Sequence, residues 1–164
     1  MEIFSDLLAA NKDFAAGFKS EKLSGEAKKG LAIVTCMDSR IDPLHIVGMK
    51  AGDAKILRNA GARVTEDVLR TLILATHLLG VTRILVMPHT DCKMASGEEA
   101  EIHQAIKDKS GVDTRSIEIR TVRDQVKALQ TDITRIETYP LLAGGLKVMG
   151  AIYDVSTGLL SPIN

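Results

Sequence analysis

The chain has 164 residues, 45% of them hydrophobic and 26% charged, with 21 basic side chains against 21 acidic ones. That length suits one domain with a core of its own, and the charge balance excludes the concentrated basic face that nucleic-acid binding needs. No apolar run approaches the ~20 residues of a membrane span. The N-terminus, MEIFSDLLAANKDF, lacks the basic, long-apolar and cleavage-site succession of a secretory leader, so the expected location is the cytoplasm.

The elements follow in chain order. Phe4, Leu7, Leu8, Phe14 and Phe18 fall near one stripe at helical spacing, which predicts an N-terminal helical arm over residues 1–19. All three phenylalanines of the chain lie in this arm. A helix of that length is marginal alone in water and needs a surface, either its own body or a second subunit. Residues 20–30, SEKLSGEAKKG, are polar with two glycines and read as a linker. The body, 31–160, opens on LAIVTC (31–36), a short unbroken apolar run of the kind found in strands buried on both faces. AKILR (54–58) and RILVMPH (83–89) are two more such strands. Between them Thr65 is placed to cap a helix whose apolar face is Val68, Leu69, Leu72, Ile73 and Leu79, with Glu66 and Asp67 at its positive end and Gly80 as its stop. One helix is expected near 98–109. Another carries Ile119, Val122, Val126, Leu129, Ile133 and Ile136 and ends near Tyr139-Pro140. LKVMGAIYDV (146–155) reads as a last strand, followed by a turn at STG. The alternation predicts an α/β fold: a single domain over 1–164 with a mostly parallel central sheet of four to five strands flanked by helices.

Chemistry collects at two strand ends. Cys36, Asp38 and Arg40 follow the first strand, and His89 and Cys92 follow the third. In a parallel sheet the carboxyl ends of neighbouring strands share an edge, and ligands bind where the strand order reverses. The two groups therefore converge, and what converges is Cys, His and Cys. Zinc takes thiolate and imidazole ligands, and a catalytic zinc keeps one position open beyond three protein ligands. The two cysteines of the chain are both used, and without an export signal a metal or catalytic role outweighs a disulfide. Asp38 and Arg40 form either a surface ion pair of little energetic weight or something closer to the metal. Asp38 can serve as a fourth ligand that closes the site, or Arg40 can hold it so that it accepts a hydrogen bond from a metal-bound water.

CMDSR at 36–40, RNAG at 58–61 and HTDC at 89–92, in this order and spacing, resemble the β-class carbonic anhydrases, in particular their small bacterial and archaeal members. The flanking helices and strands fit as well, so the resemblance covers nearly the whole chain. It implies zinc held by Cys36, His89 and Cys92, and reversible hydration of carbon dioxide to bicarbonate by a zinc-bound hydroxide. In an open form Asp38 pairs with Arg40; in a closed, inactive form Asp38 becomes the fourth ligand. Asn59, Ala60 and Gly61 would shape the pocket, against the plainer reading of Gly61 as a tight strand-to-helix turn. The resemblance also implies a homodimer or higher homo-oligomer with exchanged N-terminal helices.

Two positions depart from the family pattern, which has glycine on either side of the His-x-x-Cys. Here Pro88 precedes it and Lys93 follows it. Pro88 is tolerable at a strand end. If position 93 needs a positive φ, lysine costs about 1 kcal/mol or more and brings a cation near the site. This keeps open a catalytically impaired, regulatory zinc protein, beside a zinc hydrolase of carbonyl sulfide or carbon disulfide. Cysteine-based phosphatase or redox chemistry fits poorly: the three residues between Cys36 and Arg40 are too few for a phosphate-cradling loop, and there is no Cys-x-x-Cys. Among the other histidines, His77 reads as a packing residue, His103 as surface and His45 as a candidate proton relay. Asp91 reads as a cap or turn of the local backbone.

Overall fold

The computed structural model describes residues 2–19 and 22–163. Ser20 and Glu21, the first two positions of the expected linker, lie outside it, as do Met1 and Asn164. Five strands form one sheet: β1 (Leu31–Cys36), β2 (Ala54–Asn59), β3 (Arg83–Met87), β4 (Lys147–Tyr153) and β5 (Leu160–Pro162). Their order is β2-β1-β3-β4-β5. The first four are parallel, and β5 alone runs antiparallel, against β4. Strand order reverses between β1 and β3, so a ligand crevice is expected at their neighbouring carboxyl ends.

The helices are α1 (Ser5–Gly17), α2 (Pro43–Ile46), α3 (Glu66–Leu78), α4 (Glu99–Ser110) and α5 (Gln125–Glu137). The Thr65 hydroxyl caps α3 by accepting from the Val68 N–H, and Val68, Leu69, Leu72 and Ala75 form its buried stripe. Helix α5 begins six residues later than the Ile119 periodicity suggests. Asp124 is its N-cap and accepts from the Lys127 N–H. Residues 119–124 are instead a loop: the Glu99 carboxylate accepts the backbone N–H groups of Ile119 and Arg120, and Val122 N–H donates to the Met94 carbonyl. Strand β5, three residues long, completes the four to five strands expected, and the single-turn α2 carries His45.

One buried cluster joins one face of the sheet to α3 and α5 through Val34, Val64, Leu72, Ile84, Val86, Leu129 and Ile136. The second cluster, on the opposite face, contains Ile33, Ile41, Leu85, Met87, Cys36 and Cys92. Gly150 of β4 lets α5 approach closely. A Cβ there would stand 2.6 Å from Ile133 Cδ1 and 2.9 Å from Leu129 Cγ, closer than packed atoms come.

Helix α1 buries none of its described side chains. Phe4, Leu7, Leu8, Phe14 and Phe18 are each more than half exposed. Residues 27–29, inside the expected linker, are pinned to the body by backbone bonds to Leu79, Gly52 and Asp53. No described helix is long and apolar enough to cross a membrane.

Candidate metal centre

Strand β1 delivers Cys36 as its last residue, buried on both faces like the rest of the strand. His89 follows β3 by two residues and bridges to Tyr153 of β4, with Tyr153 N–H donating to the Pro88 carbonyl and Thr90 N–H to the Tyr153 carbonyl. The ring is completely buried. Its carbonyl accepts from the Gln125 side chain of α5 at 2.8 Å. Cys92 closes the turn after His89 and is also buried. One ligand atom from each of Cys36, His89 and Cys92 lies within 4.8 Å of the others.

Three observations fit this trio to a metal ion. The His89 Nδ1 sits 2.8 Å from the Thr90 carbonyl, so Nδ1 carries the proton and Nε2 presents its lone pair. His89 Nε2 is buried and has no hydrogen-bond partner among the described residues, an expensive condition that a cation would relieve. The two sulfurs are 4.0 Å apart and both thiols are free; tetrahedral zinc with Zn–S of about 2.3 Å separates two sulfurs by about 3.8 Å. Burial pushes the Cys92 thiol up to about 11, the Met94 backbone opposing and the neighbouring Cys36 adding to the rise.

Asp38 and Arg40 stand beside the trio. Arg40 grips Asp38 through Nε to Oδ1 at 2.9 Å and Nη2 to Oδ2 at 2.8 Å, and its backbone N–H also donates to Oδ1 at 2.9 Å. These bonds hold the Asp38 carboxyl well below the usual carboxylate range, so it is an anion and an acceptor. Asp38 Oδ2 is 3.8 Å from His89 Nε2. The carboxylate is therefore paired with Arg40 while lying next to the candidate ligand atoms, the pairing expected of an open form. Arg58 of β2 braces the same segment, donating to the Cys36 carbonyl at 2.9 Å and the Asp38 carbonyl at 2.6 Å.

The RNAG segment wraps around Cys36. Gly61 N–H points at Cys36 Sγ, 3.4 Å away. Gly61 has φ of 79°, and a Cβ there would reach 3.0 Å from Met94, so conformation and space both call for glycine. Asn59 clasps the turn: its Nδ2 donates to the Arg63 carbonyl at 2.7 Å, and its Oδ1 accepts the Arg63 N–H at 2.9 Å. Ala60 packs against the cluster that holds both cysteines. A cavity of about 20 Å³, with room for one water, adjoins Cys92 and Gly61, bounded by Met94, Val122, Gln125 and Asp132. A surface groove along Thr90, Asp91, Ser96 and Arg123 reaches Cys92 from solvent.

Several side chains sit differently from expectation. Lys93 starts a 3-10 turn, Lys93–Ala95, and takes no positive φ; the left-handed residue of this loop is Asp91, at 54°. Lys93 is exposed, so the strain expected of it is absent. Asp91 does more than turn the backbone: its carboxylate accepts from Arg40 Nη1 at 2.7 Å. Sequence spacing gave no sign of this link, because the partners are 51 positions apart. His77 is exposed rather than packed, with Nε2 3.1 Å from the Leu141 carbonyl. His103 is largely covered, its Nδ1 2.8 Å from Thr114 Oγ1. His45 is exposed on α2.

Comparison with known proteins decides the family. The family model for carbonic anhydrase matches residues 31–111. The chain is 38% identical to β-carbonic anhydrase 1 of Mycobacterium tuberculosis, over 99% of each chain. This chain belongs to the β-carbonic anhydrase family. The crystal structure of the carbonic anhydrase from Streptococcus mutans superposes on it with a TM-score of 0.92, at 36% identity, covering 100% of this chain and 99% of that one. A carbon disulfide hydrolase from Acidithiobacillus thiooxidans is a more distant relative, 33% identical over 80% of this chain and 71% of its own.

Proposed function

We propose that this carbonic anhydrase family member catalyses the reversible hydration of carbon dioxide to bicarbonate, with zinc held by Cys36, His89 and Cys92. The observation that carries the reading is the buried, unpartnered His89 Nε2 facing two free thiols beside an Arg40-clamped carboxylate. Zinc bound there supplies the Lewis acidity that makes water a nucleophile near neutral pH. Two thiolate ligands soften that acidity compared with an all-histidine site, so turnover is expected to rise from pH 6 towards pH 9. Asp38 is the acceptor that orients the attacking water. Arg40 keeps it ionised and away from the ligand position, and Gly61 and Ala60 keep the space around Cys36 small. Asp38→Ala should retain zinc by elemental analysis yet lose most stopped-flow hydration activity; unchanged turnover would remove Asp38 from the reaction.

The relatedness to a carbon disulfide hydrolase favours one second reading, in which the same site hydrolyses carbon disulfide. The longer and closer match to a carbonic anhydrase places it second. Parallel assays separate them, since bicarbonate production from carbon dioxide should far exceed sulfide release from carbon disulfide. The unstrained, exposed Lys93 weakens the case for an impaired regulatory protein.

The exposed apolar stripe of α1 supports a homo-oligomer in which this helix lies on a second copy, a cytoplasmic dimer being the simplest form.

A further inference from the structure

Arg40 serves two carboxylates. Two of its side-chain bonds go to Asp38, and two go to Asp91: Nη1 to Oδ2 at 2.7 Å and Nη2 to the backbone carbonyl at 3.1 Å. Asp38 is two positions away on the same stretch of chain, whereas Asp91 lies on the loop between the ligand residues His89 and Cys92. Asp91 reaches Arg40 from a left-handed backbone conformation, φ 54°, which costs a non-glycine residue about 1 kcal/mol.

We propose that Asp91 is a positioning residue that anchors the Arg40 guanidinium independently of Asp38. This deepens the reading of the site as a carbonic anhydrase centre and rests on it for its catalytic consequence. Arg40 is 45% exposed, so with Asp38 as its only acceptor it would be free to swing into solvent whenever that carboxylate departs. With Asp91 in place, the two bonds to Asp91 would persist when Asp38 turns away from Arg40, and the guanidinium would stay in the geometry that receives it back. The anchor thereby favours the open arrangement and ties the β1 loop to the β3 loop across the site. Glycine and asparagine both tolerate the left-handed backbone, so Asp91→Gly removes the carboxylate without adding strain, and Asp91→Asn keeps an acceptor while removing charge.

The test has two readouts. In the metal-free protein, rotation about the Arg40 Cζ–Nε bond, followed by nitrogen-15 NMR, exchanges Nη1 with Nη2. Asp91→Gly should speed it about fivefold, the range of one exposed charged pair, with Asp91→Asn intermediate and Arg58 unchanged. In the zinc-loaded enzyme, Asp91→Gly should lower kcat about fivefold at full zinc content, and should cost nothing further in an Arg40→Ala background. Unchanged Arg40 rotation would overturn the anchor. An equal kcat loss in both backgrounds would show that Asp91 acts through the loop rather than through Arg40, and would overturn it too. If the wild type holds zinc but hydrates no carbon dioxide, the functional reading fails, while the rotation measurement still decides the anchor.

Discussion

At the scale of single residues, the site depends on which polar atoms are satisfied and which are left open. His89 spends Nδ1 on the Thr90 carbonyl and keeps Nε2 bare. Asp38 spends both oxygens on Arg40 and so remains an anion beside the ligand atoms. His89→Ala should therefore remove zinc while leaving the fold intact, checked by metal content and circular dichroism; zinc retained at full occupancy would remove His89 from the ligand set. The Cys-His-Cys grouping and the Asp38–Arg40 pair were legible in the chain because Cys36, Asp38 and Arg40, and likewise His89 and Cys92, are close in sequence and each set follows a strand whose apolar run marks its end. The Arg40–Asp91 bond was not, since two exposed charged residues so far apart in sequence carry no pattern. Nor was the conformation at Lys93 legible: the left-handed turn of this loop falls on Asp91, two positions earlier.

At the scale of elements, ion pairs between helices and loops hold the frame beside the candidate metal centre. Arg63, just after the RNAG turn, donates from Nε to Asp132 of α5 at 2.7 Å, with side chains 17% and 3% exposed. Removing one partner of a buried pair strands the other, at about 3–5 kcal/mol. Asp132→Ala should accordingly lower stability by about 3 kcal/mol in urea unfolding, and a loss under 1 kcal/mol would mean that solvent reaches Arg63. Glu66 at the start of α3 accepts from Arg120 and Arg135. Its own backbone N–H and these two arginines bring its carboxyl down to about 2. A depressed acid adds stability that is complete above its unfolded value near 4.5 and is lost as pH falls through about 2. Wild type should thus lose stability more steeply than Glu66→Gln between pH 4.5 and 2; parallel thermal-melt curves across that range would contradict the pairing. The helices with local start signals, α3 above all, were readable in sequence. The start of α5 was not, because Ile119 and Val122 keep helical spacing while the Glu99 carboxylate captures the backbone N–H groups of Ile119 and Arg120. Strand β5 has only three residues, and its pairing with β4 is a tertiary fact that no local pattern announces.

At the scale of the whole molecule, the parallel order β2-β1-β3-β4 places the ends of β1 and β3 side by side, and that adjacency turns two short motifs into one centre. The open α/β sheet was predictable from the alternation of apolar strands and helices. The arm was predictable as a helix, and the described body of the chain buries none of its side chains. Its exposed phenylalanines, Phe14 and Phe18 with ring centroids 5.4 Å apart, are expected to bury themselves on a second copy. Phe14→Asp combined with Phe18→Asp should shift the protein towards monomer in sedimentation velocity; an unchanged oligomer would place the interface elsewhere. The proposed activity rests on the link between the Cys-His-Cys trio and carbon dioxide chemistry. Zinc content and stopped-flow carbon dioxide hydration, measured together on wild type and Cys36→Ser, test that link directly. The expected result is zinc and hydration in the wild type, with turnover rising from pH 6 to pH 9, and both lost in Cys36→Ser. Zinc without hydration in the wild type, or hydration that survives in a zinc-free Cys36→Ser, would contradict it.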